Sequence, residues 1–369
     1  MRTLRLIHRW LGLFLALPLI LEGLTGAILT VEPVIPNWGS AVRSEAPASP
    51  NRLLEAARAA SPADMRLTRY VPPTDERGPA LVHLARADAP RGAGMVLRLD
   101  PATATPLGPP EPEAGVLDWI RRLHTNVLLP QWGGRQLVGW LGAGLLLVSV
   151  LGLPLWWPRG RWQDGFSVPR GARGLLLHRR LHGAAGIWLW VMLIATSTTG
   201  IVQGFPQTAR AALGLPAGGP PRLGRPAPGT TVPRPDLDGA LRLAAQAAPG
   251  TVLRMAILPS GPSDPIRVFL GRPGTEGVST SITLTVDAEA SRVLSLATPA
   301  SASAGETALR WAHDLHFGQG FGPVWRALTV ATGPALLLFA VTGTAIWLGR
   351  RRNRRRVSAL RQAALEAAE

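Results

Sequence analysis

Long apolar stretches alternate with long stretches of mixed composition along the chain, and this pattern predicts a helical membrane protein. A helix needs about 20 predominantly apolar residues to cross a bilayer. Four stretches meet this requirement, and they lie at residues 1–31, 136–157, 181–204 and 323–348. We therefore predict four transmembrane helices.

The first apolar stretch raises the question of a cleaved leader. Residues 10–31 contain only Glu22 as a charged side chain. The apolar part is longer than the roughly 7–15 residues of a secretory signal peptide, and no clear cleavage site follows it. We therefore expect a helix that stays in the protein.

The two mixed stretches, residues 32–118 and 205–307, share one order of elements. Each contains a short amphipathic helix followed by strand-like alternation, and the second begins with a Pro/Gly-rich linker at residues 215–235. The predicted helices lie at 51–60 and 237–248. The predicted strands lie at 66–71, 80–85, 95–99, 252–258, 266–270, 279–286 and 292–296. We therefore predict two small α+β domains.

The chain also contains an internal repeat. Glycine follows His8 by four residues and Thr-Gly follows it by seventeen and eighteen, and the same offsets recur after His182. The matched residues are Gly12, Thr25 and Gly26 in the first copy, and Gly186, Thr199 and Gly200 in the second. The chain therefore consists of two copies of one unit.

The repeat extends through residues 119–158 and 308–349, each predicted as an outer interfacial segment followed by a transmembrane helix. In both copies a tryptophan precedes a histidine by five residues, and the helix ends in glycine, tryptophan and arginine. The matched residues are Trp119, His124, Gly152, Trp156 and Arg159, and Trp311, His316, Gly343, Trp347 and Arg350. Four histidines are thus matched in pairs, His178 and His313 are neighbours of matched ones, and we interpret His83 as a surface or core histidine.

Charge predicts the orientation of the chain in the membrane. The net charge is +16, and the basic residues are all arginine. They cluster at the amino end, in the predicted loop 159–180 and in the predicted tail 350–369, next to apolar helices rather than on a soluble face. Positive residues stay in the cytoplasm, so we predict both termini inside, both α+β domains outside in the periplasm, and no nucleic-acid partner.

The histidines are the candidate ligands of a cofactor. The chain has no cysteine, which excludes iron–sulfur clusters, thiolate zinc sites and disulfides, and its five methionines are too scattered for a copper(I) path. Ionisable residues at membrane depth are functional candidates by default. The predicted topology puts His8 and His182 near the inner face, and His124 and His316 near the outer face.

A haem with two imidazole ligands takes them from opposite faces, so the ligands come from different helices. We therefore predict two b-type haems per chain, an inner one held by His8 and His182 and an outer one held by His124 and His316. His178 lies four residues from His182 on the same helix face. It remains a substitute for His182, as His313 does for His316.

Other candidate groups leave two interpretations open. Arg135 and Arg326 follow the outer histidines and serve either as partners of haem propionates or as interfacial anchors. The small residues near the histidines, such as Gly12 and Gly26, suit either a flat macrocycle or close helix packing. The G-x-G-x-G spacing at 318–322 follows no predicted strand, which argues against dinucleotide binding.

The chain resembles the PepSY-associated transmembrane family of bacterial inner-membrane proteins. The matching motifs, in chain order, are IHRWLGL with LTG (7–13, 24–26), LHTNVLL with LWWPRGRW (123–129, 155–162), LHGAAGIW with TTG (181–188, 198–200), and DLHFGQGFG with VTG (314–322, 341–343). The family pattern D-L-H-R-x-x-G is replaced by LHGAAG at His182, while a His-Arg pair occurs at His178. Both histidines therefore remain candidates.

The resemblance implies four helices with PepSY-like domains in the periplasm. In family members that reduce ferric siderophores, it also implies two b-type haems that carry electrons across the membrane. We therefore expect an oxidoreductase that passes electrons from a quinol or a cytoplasmic reductase to a periplasmic ferric siderophore and releases iron(II), with no catalytic residue beyond the haem ligands. The alternatives are a non-enzymatic PepSY-type regulator or binding protein, and a quinone-linked electron carrier.

Overall fold

The computed structural model describes residues 1–31, 47–73, 78–86, 94–113, 115–157, 160–217, 234–261 and 263–367. Arg159 and most of the predicted linker 215–235 lie outside the described residues. The chain divides into a helical unit, comprising Met1–Glu32, Ile120–Pro206 and Leu315–Glu369, and a sheet unit, comprising Pro33–Trp119 and Gln207–Asp314.

The elements alternate between the two units along the chain. The helices are α1 (Arg2–Val31), α2 (Pro50–Ala60), α3 (Val116–Asn126), α4 (Gly134–Trp156), α5 (Gln163–Phe166), α6 (Gly174–Trp188), α7 (Trp190–Gly204), α8 (Pro206–Ala212), α9 (Leu237–Ala247), α10 (Ala304–His316) and α11 (Gly322–Glu366). The strands are β1 (Met65–Val71), β2 (Ala80–Arg86), β3 (Met95–Leu99), β4 (Glu111–Pro112), β5 (Val252–Ile257), β6 (Ile266–Gly271), β7 (Ile282–Val286) and β8 (Val293–Ala297).

Among the described residues, three helices are long and apolar enough to cross a membrane, namely α1, α4 and α11. A fourth span is formed if α6 and α7 are taken together, because they meet at a bend of 64°. The protein is therefore a helical membrane protein with three or four candidate spans.

The third predicted span differs from the structure in two respects. We predicted one helix over 181–204, but α6 begins earlier, at Gly174, and the helix breaks at Leu189, whose φ and ψ are −102° and 5°. On either side of the break the indole of Trp188 donates to the carbonyl of Phe166, and that of Trp190 donates to the carbonyl of Ser149. These two bonds attach the two halves of the span to different neighbours. Because α6 begins at Gly174, His178 lies in this helix and not in the predicted loop 159–180.

The fourth predicted span is also longer than expected. We predicted a helix over 323–348 followed by a tail, but α11 continues through the arginine run to Glu366. Arginine is a good helix former, and no glycine or proline follows Gly349 in this helix. The arginines 350–356 therefore extend from one rigid element.

Close packing in the helical unit depends on small residues. A Cβ atom added at Gly333 of α11 would lie 2.8 Å from the Cβ of Ala27, and one added at Gly23 of α1 would lie 2.8 Å from Leu336. Helices in a bilayer lack a hydrophobic driving force for association, so such close approach is a main source of packing energy. A buried apolar cluster continues this contact and comprises Leu15, Leu19, Leu193 and Leu336.

The sheet unit contains one eight-stranded sheet among its described residues, in the order β4-β3-β2-β1-β5-β6-β7-β8. The two predicted α+β segments share this sheet, because β1 and β5 pair in antiparallel fashion, with Tyr70 opposite Ala256. In separate domains both strands would be edges with unpaired backbone groups. The pairing removes both edges.

The helices α2 and α9 are also joined across the two segments of the sheet unit. The side chain of Asn51 donates to the Oδ1 of Asp236 at 2.7 Å and accepts from the backbone N–H of Leu237 at 2.7 Å. Asp236 itself caps α9 by accepting from the N–H of Gly239. One side chain of the first segment therefore completes the capping of a helix in the second.

The contact between α1 and α11 gives a direct test of the helical packing. We expect Gly333→Leu to destabilise the protein by about 1–3 kcal/mol, because the added side chain meets the backbone of α1. The matched control is Val341→Leu, which enlarges an α11 side chain that is 54% exposed. The measurement is the midpoint of thermal unfolding in detergent, and equal midpoints for the two variants would contradict the packing described here.

Candidate functional site: two histidine pairs

The structure brings four histidines together as two pairs in the helical unit. The ring centres of His8 on α1 and His182 on α6 are 6.3 Å apart. The ring centres of His124 on α3 and His316 on α10 are also 6.3 Å apart. These are the two pairs that the internal repeat and the predicted topology indicate, and each pair takes one histidine from each half of the chain.

The spacing within each pair matches that of two imidazoles on opposite sides of one metal ion. A metal–imidazole bond is about 2.0 Å long and the ring centre lies about 1.1 Å beyond the nitrogen, so opposed rings have centres roughly 6 Å apart. Rings in direct edge-to-face contact also have centres about 4.5–7 Å apart, and the His8 and His182 rings lie at 83° to each other. The observed separation therefore agrees with a metal ion shared by the two rings, but the distance alone does not require one.

Three of the four rings are held by threonine hydroxyls on a neighbouring helix. The Nδ1 atoms of His124, His182 and His316 lie 3.1, 2.8 and 3.1 Å from the hydroxyls of Thr25, Thr342 and Thr199, respectively. Each hydroxyl donates its own proton to the carbonyl four residues earlier in its helix. The hydroxyl is therefore the acceptor, and the ring nitrogen Nδ1 carries the proton.

The fourth ring, that of His8, has a backbone carbonyl rather than a hydroxyl as the partner of its Nδ1. Its Nδ1 lies 3.1 Å from the backbone carbonyl of Val148 on α4. A carbonyl only accepts, so Nδ1 is protonated here as well. In all four neutral rings the lone pair is left on Nε2, which is the usual arrangement of a metal-binding histidine whose other nitrogen is held by the protein.

Each ring also lies against a glycine. A Cβ atom added at Gly26 or Gly200 would lie 2.8 or 3.2 Å from the Cε1 of His124 or His316. The corresponding distances from Gly152 to His8 and from Gly343 to His182 are 3.5 Å. Gly26 matches Gly200 in the repeat, and Gly152 matches Gly343. Both copies of the repeat therefore have a glycine beside each ring.

Glycines one turn beyond the inner pair face open space. A Cβ atom at Gly12 would meet no atom within 4 Å, and one at Gly186 would meet only Phe339, at 4.0 Å. These two residues follow His8 and His182 by four positions, so they lie on the same helix faces as the rings. Both positions beside the inner pair therefore have room for a group that lies close to the helix backbone.

The outer pair contains a carboxyl group that sequence reasoning did not assign to the site. The Nδ1 of His124 lies 3.1 Å from the Oε2 of Glu22, whose side chain is only 13% exposed, and 3.1 Å from the carbonyl of the same residue. Burial lowers the pKa of His124, and the hydrogen bond to the Glu22 carbonyl opposes this effect. The sequence did contain a signal, since Glu22 is the only charge in its apolar stretch; its repeat-matched residue is Thr196.

The substitute histidines lie outside the two pairs. His182, rather than His178, lies beside His8, and the Nδ1 of His178 is buried with no hydrogen-bond partner among the described residues. His316, rather than His313, lies beside His124. His313 belongs to the sheet unit, where its Nδ1 lies 3.2 Å from the Oδ1 of Asp314.

The remaining candidate residues have local roles in the structure. Arg135 donates to the carbonyl of Gln203, at the end of α7, over 2.8 Å. Arg326 is half-buried in the second turn of α11. His83 lies on β2, where it pairs with Glu113 and burial lowers its pKa. The glycine-rich segment 318–322 follows helix α10. A dinucleotide-binding glycine motif follows a strand instead, so this segment does not have the context of such a motif.

The ligand chemistry of the pairs narrows the choice of metal centre. No cluster of three or more His, Asp or Glu side chains is placed to hold a metal ion within the part of the chain that the structure describes. Two opposed imidazoles suit a metal whose other ligands come from a macrocycle, as in a haem. The pairs therefore fit a haem better than a metal ion held by the protein alone.

Comparison with models of known protein families gives a match over nearly the whole chain. A search of the curated proteins finds none that matches. The model of a protein family described as the PepSY-associated TM region matches residues 5–350, nearly the entire chain. The match includes both histidine pairs and both sheet-forming segments, and on this basis the chain belongs to the PepSY-associated transmembrane family.

Proposed function

We propose that this protein is a dihaem electron-transfer protein of the bacterial inner membrane that reduces a ferric siderophore and releases iron(II). The observation that carries the proposal is the pair of histidine sites near opposite ends of one membrane-spanning helix. His8 belongs to the inner pair, and Thr25, which contacts the outer pair, lies 17 residues further along α1. At about 1.5 Å per residue this is a separation of about 25 Å, close to the thickness of a bilayer core.

A haem b fits the residues present at each pair. It would be held by the Nε2 atoms of His8 and His182 at the inner site, and by those of His124 and His316 at the outer site. When bound, it supplies an iron atom that accepts and releases one electron at a time, with a potential set by axial ligation, hydrogen bonding and burial.

The surrounding residues orient the rings and exclude water. Thr25, Thr199 and Thr342 fix the orientation and the protonation of three rings, and the carbonyl of Val148 does so for His8. Between the two pairs the helices bury an apolar cluster that includes Leu15 and Leu19 of α1. Electron transfer between the two pairs does not require the chelate or water to cross this apolar cluster.

The arginine distribution supports an orientation with the inner pair towards the cytoplasm. Arg5 and Arg9 flank His8, Arg179 and Arg180 precede His182, and the arginine run of α11 follows Gly343. Basic residues next to spans remain inside. In the chain, both sheet-forming segments are inserted between a span and the helix that carries an outer histidine, which predicts that they are periplasmic.

The reaction that this arrangement suits is electron transfer to an acceptor that stays outside. A ferric siderophore is too large and polar to enter the membrane, and one electron converts its iron(III) to iron(II). Hard oxygen ligands hold iron(II) less firmly than iron(III), so the metal is released without an acid, a base or a nucleophile. The electron is replaced from a quinol or a cytoplasmic reductase.

The ligand assignment predicts which histidines are required for haem binding. We expect His182→Ala to remove the inner haem and leave the outer one, because it removes one axial nitrogen of the inner pair only. The matched control is His178→Ala, one turn away, which should keep both haems. The corresponding outer variants are His316→Ala and, as control, His313→Ala. Haem per chain and the spectrum of the remaining haem are the measurements, and a colourless wild-type protein from haem-replete cells would refute the assignment.

The orientation is tested with single cysteines, because the native chain has none. Ser263 and Ser167 are exposed, the first in the sheet unit and the second after α5. In intact spheroplasts an impermeant maleimide should label Ser263→Cys, and it should label Ser167→Cys only after the membrane is broken. Labelling of Ser167→Cys in intact spheroplasts would rule out the proposed orientation.

The reductase activity is tested with chemically reduced protein under anaerobic conditions. We expect haem oxidation together with capture of iron(II) by a chelating dye when a ferric siderophore is added. The His316→Ala variant should transfer electrons to the chelate much more slowly, while His313→Ala should match the wild type. If every ferric chelate fails while a quinone oxidises the haems rapidly, the protein is a quinone-linked electron carrier instead.

A further inference from the structure

Arginines from three helices converge at the end of the helical unit that carries His8 and His182. The guanidinium of Arg350 on α11 interacts electrostatically with those of Arg5 and Arg9 on α1, Arg179 on α6 and Arg354 on α11. Five like charges brought together by tertiary packing repel one another. We call these five residues the arginine cluster.

The arginine cluster has no negative partner in the part of the chain that the structure describes. None of the ion pairs formed among the described residues includes a member of the cluster. In addition, the Nε atom of Arg9 is buried and has no hydrogen-bond partner. A buried guanidinium nitrogen without an acceptor is costly, so the cluster is suited to an anionic group that approaches it from outside the protein chain.

The register of the helices places the cluster next to the inner histidine pair. Arg5 precedes His8 by three residues, and Arg179 precedes His182 by three residues, so each lies on the same helix face as the ring and one turn nearer the cytoplasmic end. The two arginines are matched by the internal repeat. Their position is therefore tied to the histidine pair and not only to the membrane surface.

The third helix shows the same alignment. Arg350 follows Gly343 by seven residues, which is about two helical turns and returns to nearly the same face. A Cβ atom added at Gly343 would lie 3.5 Å from the ring of His182. All three helices therefore present an arginine directly beyond a residue that belongs to the inner site.

We propose that Arg5, Arg179 and Arg350 bind the two propionate groups of the inner haem. This inference rests on the proposed function and names the protein groups that bind the propionate edge of the cofactor. Two carboxylates projecting from one edge of the macrocycle match a cluster of guanidinium groups, and arginine pairs with carboxylate through two parallel hydrogen bonds.

The test compares haem with its dimethyl ester, in which the propionates are uncharged. The full-length apoprotein carrying His316→Ala, so that only the inner site remains, is loaded with either compound in nanodiscs of zwitterionic lipid. The readout is the rate at which the cofactor is transferred to an excess of a haem-free scavenger globin. With haem, we expect Arg5→Gln with Arg179→Gln to accelerate release about a hundredfold, because two charge-assisted contacts are lost and each accounts for about tenfold.

With the dimethyl ester, the arginine substitutions should have no further effect, because the groups that they bind are already lost. This non-additivity is the mark of a direct interaction. Arg350→Gln should behave in the same way, while the control pair Arg355→Gln with Arg361→Gln, on the exposed part of α11, should release haem at the wild-type rate.

Three results would overturn the inference. The first is equal acceleration by the arginine substitutions for haem and for the ester, which would show an effect on folding or packing. The second is no acceleration at all. The third is an effect that occurs only in discs containing anionic lipid, which would assign the cluster to phospholipid headgroups. Failure of the parent protein to bind any haem would instead refute the proposed function.

Discussion

Hydrogen bonds from imidazole rings to neighbouring helices are the constraint on which the helical unit depends. An N–H group without a partner is costly in apolar surroundings, and each of the four paired rings satisfies its Nδ1 on a helix other than its own. Because the acceptor is a hydroxyl or a carbonyl, the same bond fixes the protonation of the ring and leaves Nε2 as its acceptor. Helix packing and ring orientation are therefore set by one interaction, and a change at Thr25, Thr199 or Thr342 alters both.

The sequence predicted local elements well and their long-range association poorly. The predicted strand 95–99 coincides with β3, because side-chain alternation is a property of the strand alone. The pairing of Tyr70 with Ala256 joins residues that are distant in the chain, and no local pattern indicates it. The break at Leu189 was missed because no glycine or proline marks it; the indoles of Trp188 and Trp190 bind neighbours that only the tertiary fold supplies.

Within the candidate site, features present in both copies of the repeat were predictable from the sequence, and features present in one copy were not. The two histidine pairs were predictable because the repeat makes His8 equivalent to His182 and His124 equivalent to His316, and the spacing along the helices separates the two sites. Thr25 and Gly26 were recognisable as repeat positions, although their contacts with His124 were not. Glu22 has no charged counterpart in the second copy, so its place beside His124 is a feature of the tertiary structure alone.

The order of strands in the sheet has a consequence for how the two copies depend on each other. The first strands of the copies, β1 and β5, meet at the centre, and the later strands follow outwards in the same sequence on both sides. Such self-complementary pairing is the relation found between the subunits of a twofold dimer. Each histidine pair likewise takes one ring from each copy. A polypeptide of half this length would therefore contain every type of residue in the two sites and complete neither of them until it associated with a second copy of itself.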